Sequence, residues 1–285
     1  MFNKCYVVTC LVFLLAGTSY ADTQPLKIVG FQGGSLSFKD YEEKYGGWND
    51  VQYQAATDGF SIYSLPSKLA GSEDGVVASS DISLISDDKK YVIVQRTNAG
   101  EVVDGEGNEI ISSQAYCDMV SLETGCVKNV GSVQQCDGAW LNNKWKSAEG
   151  GVFEFSKGGI SPKQLISDVV GVSENESRAS ALRDSVFMGV PSYMACYPPE
   201  KNISEYNDIA FYFAQGGEHL LAMQIYNRLL AVAADRVPLK LNVADSLWAL
   251  GKRDEAKPYY AEYRDAMRKK GIASKIPKRV EERLN

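Results

Sequence analysis

Leu247-Trp248-Ala249-Leu250-Gly251-Lys252-Arg253-Asp254-Glu255-Ala256 decides the fold of the C-terminal third of the chain. Its pattern returns when the sequence is slid on itself by 34 residues: Ala210 falls on Ala244, Phe213 on Leu247, Gly217 on Gly251, Ala222 on Ala256 and Tyr226 on Tyr260. Each match has a physical reason. Small Ala210 and Ala244 let one helix approach another closely, and Ala222 and Ala256 do the same from the following helix. Gly217 and Gly251 suit the left-handed residue that ends a helix. Tyr226, Tyr259 and Tyr260 supply the bulk between helices.

This pattern over about residues 203–270 resembles the tetratricopeptide repeat family, in which each repeat is two antiparallel helices. In the second copy Asp254 is expected to cap the next helix and Pro258 to lie in its first turn, where a missing N–H does least damage. A final helix over about Pro277 to Leu284 is expected to close the exposed end. Two copies are fewer than the three or so that stand alone, so the repeats should dock on the preceding region or pair in a homodimer. The resemblance implies protein or peptide binding in a groove lined by Asn207, Phe211 and Gln215 from the first copy and Leu241, Asn242, Asp245 and Trp248 from the second. The competing expectation is that Trp248 and Phe211 are core residues, as aromatics at helical spacing usually are. The first copy departs from the family at Tyr206, where tryptophan is commonest. The family's carboxylate clamp is also missing its Lys and Asn pattern, since Asn207, Phe211, Leu241 and Asp245 stand at those places.

Upstream of the repeats the periodicity changes from helical to alternating. Tyr91 to Arg96 and Ile82 to Ser86 read as strands around Asp87-Asp88-Lys89-Lys90, Glu101-Val102-Val103 and Ile110-Ile111 flank Asp104-Gly105-Glu106-Gly107-Asn108, and Glu123-Thr124-Gly125 marks another hairpin turn. Further strands are expected at Leu26 to Phe31, Phe60 to Leu65 and Val152 to Phe155. Ser161-Pro162 opens a short helix, Ser173-Glu174-Asn175-Glu176 has capping-box spacing for a second, and Val190-Pro191 and Pro198-Pro199 then interrupt regular structure. The expectation is an α+β protein with a β-rich, disulfide-containing region at 22–200, a small sandwich or curved sheet, followed by the helical repeats at 201–285.

The first 21 residues read as a secretory signal, with Lys4 before the apolar run Tyr6 to Ala16 and small residues at Ser19 and Ala21. That run is too short to span a bilayer core of about 30 Å, which needs roughly 20 helical residues. Export to a bacterial periplasm is the expectation, with secretion second. Of six cysteines, Cys117, Cys126, Cys136 and Cys196 lie beyond the signal, an even number that suggests two disulfides. Four cysteines allow three pairings; the hairpin around Glu123-Thr124-Gly125 favours Cys117 with Cys126, leaving Cys136 with Cys196. A zinc site lacks its spacing, because no Cys-x-x-Cys occurs and the single histidine, His219, lies beyond the last cysteine.

Charge is divided along the chain. Residues 22–202 hold 15 Lys and Arg against 25 Asp and Glu, a net of −10, whereas 203–285 hold 14 against 11, a net of +3. An acidic front argues against nucleic acid, which needs a basic footprint. The basic residues Arg268, Lys269, Lys270, Lys275, Lys278, Arg279 and Arg283 suit an acidic partner, anionic headgroups or simply a solvated helix face. Enzyme motifs are missing: no Gly-x-Ser-x-Gly, phosphate-binding loop or His-Glu-x-x-His occurs, and Asp104 to Ala115 fails the calcium-loop pattern at its sixth and twelfth places. No cofactor is expected. The reading is an exported, non-catalytic adaptor that holds a protein partner through its repeats; the alternative is an inhibitor or immunity protein that blocks an envelope-acting toxin with its acidic front.

Overall fold

A computed structural model describes residues 26–56, 58–65, 75–79, 84–103 and 105–285. The expected signal at 1–21 lies outside them, as do Ile82 and Ser83 of one expected strand and Asp104 of one expected turn. The architecture is α+β, an antiparallel β region followed by helices.

Eight strands make the main sheet: β1 (Leu26–Val29), β2 (Ser35–Glu42), β3 (Gly47–Gln54), β4 (Gly59–Ile62), β5 (Gly75–Ser79), β6 (Tyr91–Val103), β7 (Glu109–Ser121) and β8 (Val127–Ser132). Their order is β1-β2-β3-β5-β6-β7-β8, with β4 also paired to β3. A second sheet of β9 (Gly138–Leu141), β10 (Lys144–Ser147) and β11 (Val152–Phe153) lies beyond them in order β11-β10-β9. Leu84 to Ser86 forms no strand; Ile85 makes a single bridge to Val92.

Because side chains alternate across a strand, the main sheet has two apolar faces with different coverings. Leu36, Phe38, Val51, Tyr53, Val92, Val94, Val120 and Leu122 are buried in a core that continues into the helices. On the opposite face Ile93, Cys117 and Met119 pack on Trp145 of β10, joined by Trp140, Tyr91 and Phe155. Trp145 is fully buried and its indole N–H donates to the Gln135 carbonyl at 2.7 Å.

The helices are α1 (Pro162–Val169), α2 (Asn175–Ser185), α3 (Val190–Cys196), α4 (Ile203–Gln215), α5 (His219–Ala233), α6 (Val237–Ala249), α7 (Arg253–Lys269) and α8 (Lys278–Leu284). The Ser161 hydroxyl caps α1 by accepting from the Gln164 N–H at 3.3 Å. Several helix boundaries differ from the expectations. Ser173 does not cap α2; the cap residue is Glu174, and its carboxylate takes a hydrogen bond from Ser177. Val190-Pro191 begins α3 and does not interrupt structure, since proline in the first turn gives up only an N–H that has no helical partner. In α7 the cap is Lys252, Asp254 sits inside the first turn, and Pro258 lies in the helix interior. Among the described residues no helix is long and apolar enough to cross a membrane.

The disulfides are Cys117–Cys136 and Cys126–Cys196, not the expected Cys117–Cys126 and Cys136–Cys196. The register explains the difference. Cys117 lies opposite Gly131, whereas Cys126 sits at the turn, where its carbonyl accepts from the Ser121 N–H at 2.9 Å. The four residue steps from Cys117 to Ser121 span about 13 Å, beyond the roughly 7 Å limit between bridged Cα atoms. Cys117 also faces the Trp145 cluster, where Cys136 waits, while Cys126 meets α3 and Cys196. The second bridge therefore fastens the helices to the sheet.

A buried charge pair lies on the helix-facing side of the sheet. Arg96 Nε donates to Asp118 Oδ2 at 2.8 Å, with the two residues 4% and 0% exposed. Asn129 donates to Asp118 at 2.8 Å, and Arg96 Nη1 donates to Asn98 at 2.8 Å. The guanidinium lies 4.2 Å from the Phe187 ring and 4.4 Å from that of Tyr116. Burial pushes the Asp118 carboxyl up, while Arg96 and Asn129 pull it back toward the charged form.

Candidate functional site

The 34-residue spacing is repeated in three dimensions. α4 and α6 start at residues 203 and 237 and end at 215 and 249; α5 and α7 start at 219 and 253. Gly217 and Gly251 adopt φ of 76° and 77°, a left-handed conformation that costs glycine little and any side chain more. Their turns also share hydrogen bonds: Glu218 N–H donates to the Phe213 carbonyl at 2.8 Å and Lys252 N–H to that of Leu247 at 2.9 Å. Ala210, Ala244, Ala222, Ala256, Tyr226 and Tyr260 are all fully buried.

The first helix of each hairpin, α4 and α6, carries the seven expected groove residues, and α8 follows them. Asn207 on α4 is 6% exposed and its Oδ1 accepts from Asn242 Nδ2 of α6 at 3.1 Å. One turn further along α4, Phe211 is 40% exposed. Leu241 is half-buried and packs on the core. Gln215 is exposed at the end of α4, where Arg178 of α2 approaches its Oε1 at 3.4 Å. The Asn207–Asn242 bond thus joins the two copies, and Gln215 belongs with α2.

Asp245 and Trp248 form a separate cluster with the C-terminal helix. Tyr260 OH donates to Asp245 Oδ1 at 2.7 Å, Arg279 reaches the carboxylate through Nε at 3.0 Å and Nη2 at 2.7 Å, and Arg283 Nη1 donates at 2.7 Å. Arg283 Nη1 also donates to Tyr260 OH. The Trp248 ring lies between Arg253 at 5.2 Å and Arg283 at 5.1 Å, edge-on to Tyr260. Burial raises the Tyr260 phenol well above its ordinary range, assisted by Asp245, and the same carboxylate raises Arg279. With two arginines on one carboxylate, this cluster is not an acidic vacancy.

Arg279 and Arg283 were the residues that composition alone left as part of a basic tail. The 34-residue period carries Asp245 onto Arg279, but α8 begins at residue 278 and not at 271, so the two do not hold equivalent helix positions and the period alone does not pair them. His219 begins α5, with Nδ1 3.4 Å from the buried Ser246 hydroxyl. Among the described residues no cluster of His, Cys, Asp or Glu has the geometry to hold a metal ion.

A scan against models of known protein families finds no match to the chain. A search of curated proteins returns no relative.

Proposed function

We propose that this protein is an exported, non-catalytic adaptor that holds a protein or peptide segment in the groove of two tetratricopeptide-like hairpins. The observation that carries the reading is the 34-residue repetition of helix ends, glycine conformations and buried small residues, with Phe211 left exposed on the first helix of the first hairpin. An aromatic in that position supplies apolar contact area, and Asn242, half-buried on the neighbouring first helix, supplies polar recognition. Two disulfides accord with an oxidising compartment, and a bacterial periplasm is the compartment proposed.

Affinity capture of the intact chain from its own periplasmic extract tests the reading. Phe211→Ala and Asn242→Ala together should remove a stoichiometric partner while leaving the melting temperature within a few degrees. Retention of that partner by the folded double variant would exclude the groove.

A second reading, an inhibitor of an envelope-acting toxin, is favoured by the β6–β7 hairpin. Residues 97–127 contain no Lys or Arg, and Val103 and Ile110 near the hairpin end are 67% and 45% exposed. In the same capture, Glu106→Lys with Glu109→Lys separates the two readings, because a partner lost here and kept by the groove variant belongs to the front.

A further inference from the structure

We infer that the C-terminal half of the groove is an acceptor for a helical segment bearing arginines four residues apart, and that α8 is its resident occupant. The inference rests on the adaptor reading and names the chemistry of the partner: a basic amphipathic segment that displaces α8.

The chain itself displays the ligand. Arg279 and Arg283 lie on one face of α8, one helical turn apart, and both converge on the single carboxylate of Asp245. Arg279 contacts it through two nitrogens, the forked geometry that suits guanidinium and carboxylate. Between them Val280 is fully buried, and Leu284 packs on the core. Trp248 and Tyr260 provide ring faces at 5.1 and 5.6 Å from the Arg283 guanidinium, a setting that selects a planar cation over an apolar side chain. The acceptor is therefore built from α6 and α7, and the occupant is a seven-residue helix.

Several features make this occupant separable. A helix of seven residues is far below the roughly 12 to 15 needed for independent stability, so α8 is helical because it is docked. It follows α7 through residues 270–277, which contain Gly271 at φ 71° and end at Pro277. The side chains of Arg279 and Arg283 are 43% and 26% exposed, so water already reaches the ion pairs and their separation costs less than that of a buried pair. A short tether keeps the local concentration of α8 high, so a partner is admitted only in proportion to the fraction of chains with α8 released.

The open half of the groove extends the same chemistry. Asp208 is exposed beside Asn207 on α4, makes no ion pair among the described residues, and precedes the exposed Phe211 by one turn. A bound segment that replaced α8 would continue toward a second carboxylate and an aromatic surface.

The test uses the full chain and a fluorescein-labelled peptide copying residues 276–285, read by fluorescence anisotropy. Arg279→Ala with Arg283→Ala keeps Val280 and Leu284 as anchors but removes the arginines that hold α8. That variant should bind the peptide at least about tenfold more tightly than the native chain does, and adding Asp245→Asn should abolish the gain. Equal binding by the native chain and the arginine variant, or a gain that survives Asp245→Asn, would overturn the inference. Hydrogen exchange of the native chain needs no variant: α8 amides should exchange at least about a hundredfold faster than those of α7, and equal protection would mark α8 as a fixed cap. Peptide binding without any captured partner would strike the adaptor reading alone; partner capture without peptide binding would strike only this inference.

Discussion

The sheet and the helices solve the same problem, burying apolar surface, by opposite means. In the helical hairpins from α4 to α7 the buried small and aromatic residues recur 34 residues apart, Ala210 with Ala244, Ala222 with Ala256 and Tyr226 with Tyr260. In the sheet region contacts join distant parts of the chain, and a charged pair, Arg96 with Asp118, is held inside by four hydrogen-bonding or aromatic neighbours, Asn98, Asn129, Tyr116 and Phe187. Repetition makes helices tolerant, because the loss of one contact leaves its counterpart. The sheet has no such duplicate, so its stability is concentrated in a few sites.

The sharpest way to break that comparison is Asp118→Ala. It leaves the Arg96 guanidinium buried without its carboxylate and should cost about 3 to 5 kcal/mol, measured by urea denaturation. A cost below about 1 kcal/mol would show that Arg96 finds other partners and that the sheet is as forgiving as the repeats.

Next in size is the link between the two regions. Cys126→Ser with Cys196→Ser opens a bridge across 70 residues and should remove about 2 to 4 kcal/mol. The apolar core is continuous from sheet to helices, so the native chain should melt in one transition. Two separated transitions in the double variant, followed by circular dichroism at 218 and 222 nm (about these wavelengths) and by calorimetry, would show that the bridge and not the core couples the regions.

The smallest expected effect is a pH dependence that the helices share with the sheet region, where burial also raises the Tyr63 phenol. Tyr206 and Tyr226 in the helices are buried, and burial raises both phenols far above their ordinary value near 10. The folded chain holds these protons longer than the unfolded chain does. Stability is therefore unaffected below about pH 10 and falls above it, by at most about 1.4 kcal/mol per pH unit for each tyrosine. Helical signal should be lost over that range in an alkaline titration, and a Tyr226→Phe chain should lose it more gradually. A slope unchanged by Tyr226→Phe would mean that the phenol is already ionised in the fold.

Much of the helical region was legible because its information is local. The spacing from Gly217 to Gly251 marks both hairpin turns, and the final helix lies within a residue of its expected start at Pro277. Helix caps were less legible: Asp254 is a good cap by type, but Lys252 takes that place because the glycine turn fixes where α7 begins. In the sheet, β2 and β3 are weakly marked in the sequence: Leu36 with Phe38 and Val51 with Tyr53 alternate as a strand requires, but the polar residues between them, from Lys39 to Asp50, dilute the signal. The disulfide pairing was not legible at all, since it depends on which face of β7 each cysteine meets. Of the groove, the Asn207–Asn242 neighbourhood followed from the repeat, whereas the engagement of Asp245 and Trp248 by α8 required the fold to bring residues 34 to 38 positions apart into contact.

The order of the four cysteines has a consequence for biogenesis. Numbered along the chain, the bonds join first to third and second to fourth, so the two loops interleave. A chain entering an oxidising compartment from its N-terminus presents Cys117 and Cys126 together before Cys136 arrives, and rapid oxidation at that moment creates a non-native bond. Reaching the native pairing then requires thiolate attack on that bond and exchange, a step whose rate depends on a shuffling catalyst more than on an oxidant. In such a compartment the yield of the native pairing is thus tied to isomerase capacity, and non-reducing peptide mapping of newly oxidised chains would read it as a transient Cys117–Cys126 species.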